Sequence, residues 1–177
     1  MRGADCLTGR RRAAQTFQKV RQEFCVLRYR LSHGGGHTGW SRAWVSCLSA
    51  RIGDADGFYE HFAALIRDFA TVSLLDLHPP RIFQIDGNLG AVAAGIEALA
   101  SFYDDTAHLL RALPRQWSSG SLDGVRIPGG HLLRMEWKNG SLTSLEMTLG
   151  YSGIARLEWS GQVHQVSGTP GETVRLL

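Results

Sequence analysis

The spacing of apolar residues changes along this 177-residue chain, and that change limits the folds open to it. Up to about residue 104 the apolar residues recur at intervals of three and four, the spacing of one face of an α-helix. Beyond His108 they alternate with polar residues, which is the spacing of a half-buried β-strand. The sequence therefore predicts a mainly α-helical part followed by a β-part.

Glycine and proline divide the helical part into four predicted helices. Glycine adds backbone entropy and no packing, so the Gly34-Gly35-Gly36 run should end the first helix. Gly53-Asp54 should end the second helix, and the paired prolines Pro79 and Pro80 exclude helix where they stand. The predicted helices are 13–31, 40–51, 55–69 and 91–102.

Two of these helices carry a stripe of apolar or small residues that predicts their buried face. We expect the two stripes to face neighbouring helices, so that the second and third helices form a hairpin. The stripes are Trp40, Ala43, Trp44, Cys47 and Leu48, and Tyr59, Phe62, Ala63, Ile66 and Phe69.

The alternation in the second part predicts short antiparallel strands. Asn139-Gly140 stands between two alternating runs, and this dipeptide accepts the positive φ angles of a type I′ hairpin turn. The inward-facing rows on the two sides of that turn are His131, Leu133, Met135 and Trp137, and Thr143, Leu145, Met147 and Leu149.

The formal charge of +3 arises from the first 30 residues, which hold eight Arg or Lys against two acids. The rest of the chain is net acidic, whereas a nucleic-acid surface needs clustered basic residues on a folded face. No apolar run reaches the roughly 18–20 residues of a membrane span, and the start lacks the apolar segment of a secretory signal. We expect neither a nucleic-acid nor a membrane partner, and the cellular compartment stays open.

The segment 76–90 combines carboxylates, a histidine and amides with prolines and glycines, a residue choice that packing does not explain. Chemistry concentrates in loops held by a rigid scaffold. Asp86 lies between a hydrophobic residue and a glycine, so it could serve as a general base, a nucleophile or an acceptor for sugar hydroxyls. Asp-Gly-Asn is also an ordinary turn sequence, and Asn88 could simply cap the following helix.

Residues 37–44 form a second candidate site, because His37 follows three glycines and Trp40 and Trp44 lie four residues apart. Tryptophan rings stack on sugars, but tryptophans at helical spacing are more often core residues. A metal site at His78 with Asp76 or Asp86 has no recognised ligand spacing. The three cysteines fit neither a disulfide framework nor a zinc site, so no metal and no cofactor are expected.

Four blocks of the sequence together resemble the glycoside hydrolases of family 95, in the family's order. They are 34–44 (Gly-Gly-Gly-His-Thr-Gly-Trp-Ser-Arg-Ala-Trp), 76–90, 108–114 and 129–140. The likeness covers about residues 27–177 and is most specific from Pro-Pro to Gln-Ile-Asp-Gly-Asn. It implies the C-terminal helices of an (α/α)6 barrel followed by a small antiparallel β-domain. The implied divisions are an atypical basic leader 1–26, a partial catalytic barrel 27–112 and a C-terminal β-domain 113–177.

Members of the family are mostly α-L-fucosidases that hydrolyse terminal fucose with inversion. Asp86 matches the aspartate of the Gln-Ile-Asp-Gly-Asn motif, so the resemblance implies that it belongs to the base machinery. Its expected pocket neighbours are His37, Trp40, Gln84 and Asn88. An inverting enzyme also needs a second carboxylic acid, which the family supplies from earlier helices and which nothing in this chain matches.

The expected function is therefore fucosidase-like hydrolysis of a fucosylated oligosaccharide or glycan, present here as an N-terminally truncated portion of the enzyme. The exposed apolar faces of an incomplete barrel predict self-association. Two alternatives stay open: a non-catalytic carbohydrate-binding or structural module, and a degraded or mispredicted gene product with no function of its own.

Overall fold

A computed structural model describes residue 18 and residues 21–177. The chain falls into two compact units, residues 1–94 and 95–177, which are taken one at a time below. Most of the predicted basic leader 1–26 and the start of the predicted helix 13–31 lie outside the described residues.

The first unit is mainly helical. None of the helices described for the chain is both long and apolar enough to cross a membrane. The elements are α1 (21–32), α2 (Gly39–Ile52), α3 (Ala55–Ala64) continued by a π-helical turn (Leu65–Phe69), a short ribbon of β1 (Leu77–His78) and β2 (Ile82–Phe83), and α4 (Ile85–Leu99), which ends in the second unit.

Helix α2 has a defined beginning and end, and it confirms the predicted helix 40–51. The Thr38 side chain accepts a hydrogen bond from the backbone N–H of Ser41, which satisfies one free donor of the first turn. Gly53 ends the helix in the left-handed region at φ 81°, a conformation that glycine adopts without steric cost. Asp54 then caps α3 by accepting from the backbone N–H of Gly57.

The buried faces of α2 and α3 differ from the predicted stripes. On α2, Ala43 and Leu48 are buried as expected, but Trp44 is 51% exposed. On α3 the buried residues are Phe58, His61 and Ala64, one position away from the predicted Tyr59 row. Two adjacent rows of residues fit the same helical period, so spacing alone cannot tell which row is buried. In the structure the Ser46 hydroxyl of α2 donates to the backbone carbonyl of Phe58, which places the Phe58 row against α2.

Helix α4 begins earlier and ends earlier than predicted. The sequence predicts a helix over 91–102, whereas the structure has it over Ile85–Leu99. Asp86, Gly87 and Asn88 consequently lie in a helical turn and not in a loop or an isolated β-turn. The two glycines near this start lower helix propensity by about 1 kcal/mol each, which is why the sequence pattern misses it.

The second unit contains two four-stranded sheets. One has the order β10-β7-β6-β5, and the other has the order β3-β4-β8-β9. The strands are β3 (Ala100–Tyr103), β4 (Thr106–Leu109), β5 (Gly120–Ile127), β6 (His131–Lys138), β7 (Ser141–Thr148), β8 (Gly153–Trp159), β9 (Gln162–Gly168) and β10 (Thr173–Arg175), with a 3-10 turn at Arg115–Trp117.

One hydrophobic cluster joins the two sheets of this unit. Met135 and Leu145 come from the first sheet and Leu157 comes from the second, and all three side chains are fully buried. Strand β6 alternates buried and less buried positions as predicted, with His131, Leu133, Met135 and Trp137 facing inward.

The predicted antiparallel β-domain is only partly correct. Strand β4 pairs with β8 in parallel, with Ala107 opposite Leu157, while the other pairs in both sheets are antiparallel. Parallel neighbours need a long crossover, and alternation along each strand carries no information about its partner's direction. The strands also begin at Ala100, ahead of the predicted domain start at 113, and the domain bounds themselves stay predictions.

The β6–β7 hairpin confirms the predicted turn and corrects one predicted inward residue. Asn139 and Gly140 both have positive φ, 51° and 75°, as a type I′ turn requires. A bulge then pairs Glu136 with Ser144 but Trp137 with Leu142, so the intervening Thr143 has no opposite residue and is exposed.

We expect Leu145→Ala to lower the free energy of unfolding by about 2–5 kcal/mol, because it leaves a cavity at a fully buried position. Thr143→Ala on the same strand should cost less than about 1 kcal/mol, because Thr143 is exposed. Urea unfolding followed by tryptophan fluorescence measures both changes. Equal losses of unfolding free energy from the two substitutions would mean that Thr143 is buried like Leu145, which would contradict the bulge.

Candidate active site

Asp86 lies in the first turn of α4, and its side chain is exposed. A carboxylate at this end of a helix is stabilised by the N-terminal partial charge of the helix. The side chain lines a cavity of about 360 Å³, which we call the α2/α4 cavity. Its other lining residues are Ala43, Trp44, Cys47, Leu48, Arg51, Leu89 and Gly90.

Trp44 and Arg51 line the α2/α4 cavity together with Asp86, a setting that the sequence did not assign to them. The indole of Trp44 is exposed and carries the guanidinium of Arg30 over its ring, 4.7 Å from the ring centroid. Exposed indole rings offer sugars a stacking surface. The spacing of Trp44 predicted a core residue because a helical period shows which residues share a face, but not which face is covered.

His37 and Trp40 lie in a different cavity from Asp86. They line an open cavity of about 800 Å³ formed by α1 and the start of α2, together with Tyr29 and His33. The structure therefore does not bring these two residues into the α2/α4 cavity. Their contribution to a sugar site stays a prediction.

Asn88 uses its side-chain amide on the preceding loop. Its Oδ1 accepts from the backbone N–H of Asp76 at 2.9 Å, and its Nδ2 donates to the carbonyl of Leu74 at 2.6 Å. Asn88 therefore ties α4 to the 74–76 segment, and it lies too far inside α4 to be its cap. Gln84 adds a bond from its backbone N–H to the carbonyl of Asp76, while its own Oε1 is buried with no hydrogen-bond partner among the described residues.

Asp76 is the residue of this region that the sequence analysis undervalued. Its side chain is fully buried, and neither carboxylate oxygen has a hydrogen-bond partner in the part of the chain that the structure describes. The carboxylate lies against Gly39, the first residue of α2, and against Gly87 in the first turn of α4. A Cβ at either glycine would overlap it, so both helices can approach Asp76 only because these positions have no side chain.

The charge of Asp76 is coupled to that of Asp86. Burial raises the pKa of Asp76 above its ordinary value, the negative charge of Asp86 raises it further, and His78 acts in the opposite direction. Burial is the largest of these causes, and the backbone N–H of Leu77 also lowers the pKa of Asp76.

Arg42, from the block 34–44, has a structural setting as well. Its Nη1 donates to Nδ1 of His61 at 2.6 Å, and its guanidinium packs on the backbone of Gly36. Burial lowers the pKa of His61, and the nearby Arg42 charge lowers it further, which suits a neutral ring that accepts this bond. No group of three or more His, Cys, Asp or Glu positioned to hold a metal ion occurs in the described residues.

Two family profiles match this chain in sequence order. The glycosyl hydrolase family 95 catalytic domain matches residues 11–99, and the glycoside hydrolase family 95 C-terminal domain matches residues 103–175. The first profile covers the helical unit, including the acidic first turn of α4, and the second covers most of the two-sheet unit. Both units are therefore of glycoside hydrolase type. The chain belongs to glycosyl hydrolase family 95, which confirms the family predicted from its motifs.

Three curated relatives are named as fucosidases. The chain is 33% identical over 116 residues to alpha-L-fucosidase 2 from Arabidopsis thaliana, covering 59% of this chain and 14% of that protein. It is 29% identical over 117 residues to the protein named probable alpha-fucosidase A from Aspergillus niger, and this match covers 58% of this chain and 14% of that protein. The protein of the same name from Aspergillus oryzae is 28% identical over 145 residues, covering 72% and 20%. The match therefore spans 14–20% of the length of these relatives.

Two glycines of α4 should respond in opposite directions to the same substitution. Gly87→Ala places a methyl group on the Asp76 carboxylate and should lower the free energy of unfolding by about 1–3 kcal/mol. Gly95→Ala meets nothing within 4 Å and should raise it by about 0.5–1 kcal/mol through reduced backbone entropy. Thermal unfolding of the two variants checks this, and a gain from both would mean that Asp76 does not fill the space beside Gly87.

The stability of the protein should depend on the charge of Asp76 in a defined direction. Because the folded-state pKa is raised above 3.8, the folded chain binds more protons than the unfolded chain just above that pH. Rising pH therefore lowers the contribution of Asp76 to stability until its folded pKa is passed. We expect the difference in unfolding free energy between Asp76→Asn and the natural chain to shift in favour of the variant from about pH 4 upwards.

A series of chemical unfolding curves between about pH 4 and pH 7 measures this difference. The variant keeps the shape of the side chain, so a constant offset reports the amide and only the slope reports the charge. A difference that does not change with pH would show that Asp76 has an unshifted pKa in the folded protein.

Proposed function

We propose that this chain is the C-terminal portion of an inverting α-L-fucosidase, with Asp86 in the base machinery that activates water. In this proposal, α1 to α4 are the last helices of an (α/α)6 barrel, and the two-sheet unit is its C-terminal domain. The observation that carries the proposal is an exposed carboxylate on a cavity wall, in a chain that belongs to glycosyl hydrolase family 95. The names of the three relatives support fucose as the sugar.

The position of Asp86 suits a base. A carboxylate can take a proton from water only if water reaches it, and the side chain of Asp86 is exposed. Its backbone is held by the first turn of α4, and the Asn88 side chain ties that turn to the 74–76 loop. A base with a fixed backbone keeps its orientation towards one face of a sugar, as inversion requires.

The second carboxylic acid of an inverting mechanism must stand roughly 6.5–9.5 Å from the base and protonate the leaving oxygen. Asp76 is a neighbouring carboxyl group, but it is fully buried and cannot reach a glycosidic bond. Its proposed part is structural, because its carboxylate fills the space between Gly39 and Gly87 at the starts of α2 and α4. The general acid is accordingly not assigned to any residue of the first unit that the structure describes.

The predicted pocket neighbours have different standing within this proposal. Gln84 stays a predicted pocket neighbour, but its side-chain oxygen is buried with no partner among the described residues and Gln84 is not among the residues that line the α2/α4 cavity. Asn88 supports the turn that carries Asp86. His37 and Trp40 serve a glycan that extends beyond one sugar, since they line a separate cavity. Trp44 is added as a stacking surface for the fucose unit.

Binding without hydrolysis is a second candidate function. One observation favours it. Asp76 is the carboxyl group nearest in sequence to the Asp86 turn, and it is buried, so it cannot act as the general acid. The aromatic and charged lining of the α2/α4 cavity would then hold a terminal sugar with no turnover.

Hydrolysis of an aryl α-L-fucoside by the purified chain tests the first candidate, and binding of L-fucose followed by NMR tests both. Asp86→Asn should lower the rate by about 10²–10⁴-fold while leaving fucose binding in place, because it removes the base and keeps the shape. Asp123→Asn is the matched control, since that surface carboxylate pairs with Arg134 in the second unit.

The outcomes separate the two candidates. Turnover that is lost in Asp86→Asn and kept in Asp123→Asn supports the base assignment. Fucose binding with no turnover in either form supports the second candidate. A folded chain that neither binds nor hydrolyses fucosides contradicts the second candidate and leaves Asp86 without support as a base in this chain alone.

A further inference from the structure

We propose that the second unit carries its own binding site for a neutral sugar, separate from the α2/α4 cavity and independent of hydrolysis. The site is a cavity of about 330 Å³ at one end of the two sheets, which we call the β-cavity. The residues that carry the proposal are Phe102, Asp105, His131, Tyr151 and Arg156. A volume near the lower limit of about 300 Å³ for ligand pockets fits one sugar unit and not an extended chain.

His131 supplies the β-cavity with a ring N–H whose position is fixed by a hydrogen bond on the other ring nitrogen. The residue is 2% exposed, and its Nδ1 accepts a hydrogen bond from the backbone N–H of Gly150 at 3.1 Å. A ring nitrogen that accepts carries no proton, so the proton of the neutral ring is on Nε2. Burial lowers the pKa of His131, which favours that neutral form.

The Nε2–H group of His131 points to the wall of the cavity. It lies 2.7 Å from a Cβ built at Gly129, with Cε1 of Tyr151 closer still to that position, and Gly129 itself lines the β-cavity. A sugar hydroxyl placed in the cavity could accept a hydrogen bond from this N–H group.

Two aromatic rings give the β-cavity a surface on which a pyranose ring can stack. Tyr151 is 42% exposed and packs its ring at 4.8 Å from that of His131, and Phe102 is 36% exposed. Both rings line the same cavity as the Nε2–H group of His131. An aromatic surface beside a hydrogen-bond donor can contact the apolar face and a hydroxyl of one sugar together.

Asp105 and Arg156 complete the polar side of the site. Asp105 lies in the β3–β4 turn with a φ of 55°, and Arg156 extends from β8. A carboxylate accepts hydrogen bonds from sugar hydroxyls, and a guanidinium donates hydrogen bonds to their oxygens. The two side chains can therefore bind a sugar hydroxyl both as donor and as acceptor. Opposite charges in one small cavity favour a neutral ligand, because an anion would be repelled by the carboxylate.

The glycines around the β-cavity offer a substitution with a closely matched control. Gly129 and Gly130 both have positive φ, 88° and 75°, so alanine is strained to a similar degree at either position. A methyl group at Gly129 would meet the ring of Tyr151 and Nε2 of His131, whereas one at Gly130 meets only atoms 3.8 Å or more away. Gly129→Ala should therefore block the site, and Gly130→Ala should leave it open.

Titration of the 177-residue chain with methyl glycosides of neutral sugars, followed by amide NMR, tests the proposal. We expect saturable shifts at residues 102–156 with millimolar affinity, weakened about fivefold or more by Tyr151→Ala and by Gly129→Ala. Tyr151→Phe keeps the ring, and Gly130→Ala keeps the cavity, so both should stay within about twofold of the natural chain. Thermal unfolding of each variant verifies that it is folded.

The same titration distinguishes this site from the proposed active site. Asp86→Asn should leave the shifts at residues 102–156 unchanged, whatever its effect on fucoside hydrolysis. The proposal is overturned if neutral sugars cause no shifts there, if Tyr151→Ala and Gly129→Ala bind as well as their controls, or if only an acidic sugar binds, which would indicate an anion site on Arg156.

Discussion

The contact of the buried Asp76 carboxylate with Gly39 and Gly87 is the constraint on which the first unit depends. It places a charged group against the N-terminal turns of two helices, where the backbone partial charge is positive. The carboxylate fits between α2 and α4 because both helices present a glycine to it, and a Cβ at either position would overlap it. The close approach of both helices to Asp76 depends on this contact.

The same turn of α4 carries both the contact with Asp76 and the proposed base, Asp86. Gly87 faces inward to Asp76, Asp86 faces outward to the α2/α4 cavity, and Asn88 binds the loop that delivers Asp76. An exposed carboxylate one residue away from a buried contact inherits the rigidity of that contact. Asn88 can therefore support the position of Asp86 without itself lining the α2/α4 cavity.

The sequence predicts some of these features well and others not at all, for physical reasons. The inward row of Leu133 and Met135 follows from strict alternation, and the Asn139-Gly140 turn follows from its φ requirement. Thr143 breaks the row because a bulge depends on the pairing between two strands. The parallel pairing of β4 with β8 is non-local in the same way.

In the candidate site, too, the sequence indicates local features and misses those that depend on residues distant in the chain. The motif around Asp86 points to that carboxylate because its residue types are not explained by packing, and the structure places Asp86 on a cavity wall; its role as a base stays a prediction. The role of Asp76 stays hidden, since it arises from two glycines distant in sequence whose only shared property is the lack of a side chain. The exposure of Trp44 is hidden too, because a helical period shows which residues share a face but not whether that face is covered.

The parallel pairing of β4 with β8 sets the order in which the second unit can assemble. Strands β5, β6 and β7 follow one another through short local connections, so they can form a sheet as soon as they exist. Strand β4 must wait for β8, because the whole of that meander lies between them in the chain. Until β8 arrives, β4 has an unpaired edge that any other strand could occupy. The segment after Gly150 supplies β8 and so covers this edge of β4. Until that segment is present, the edge exposes the chain to aggregation.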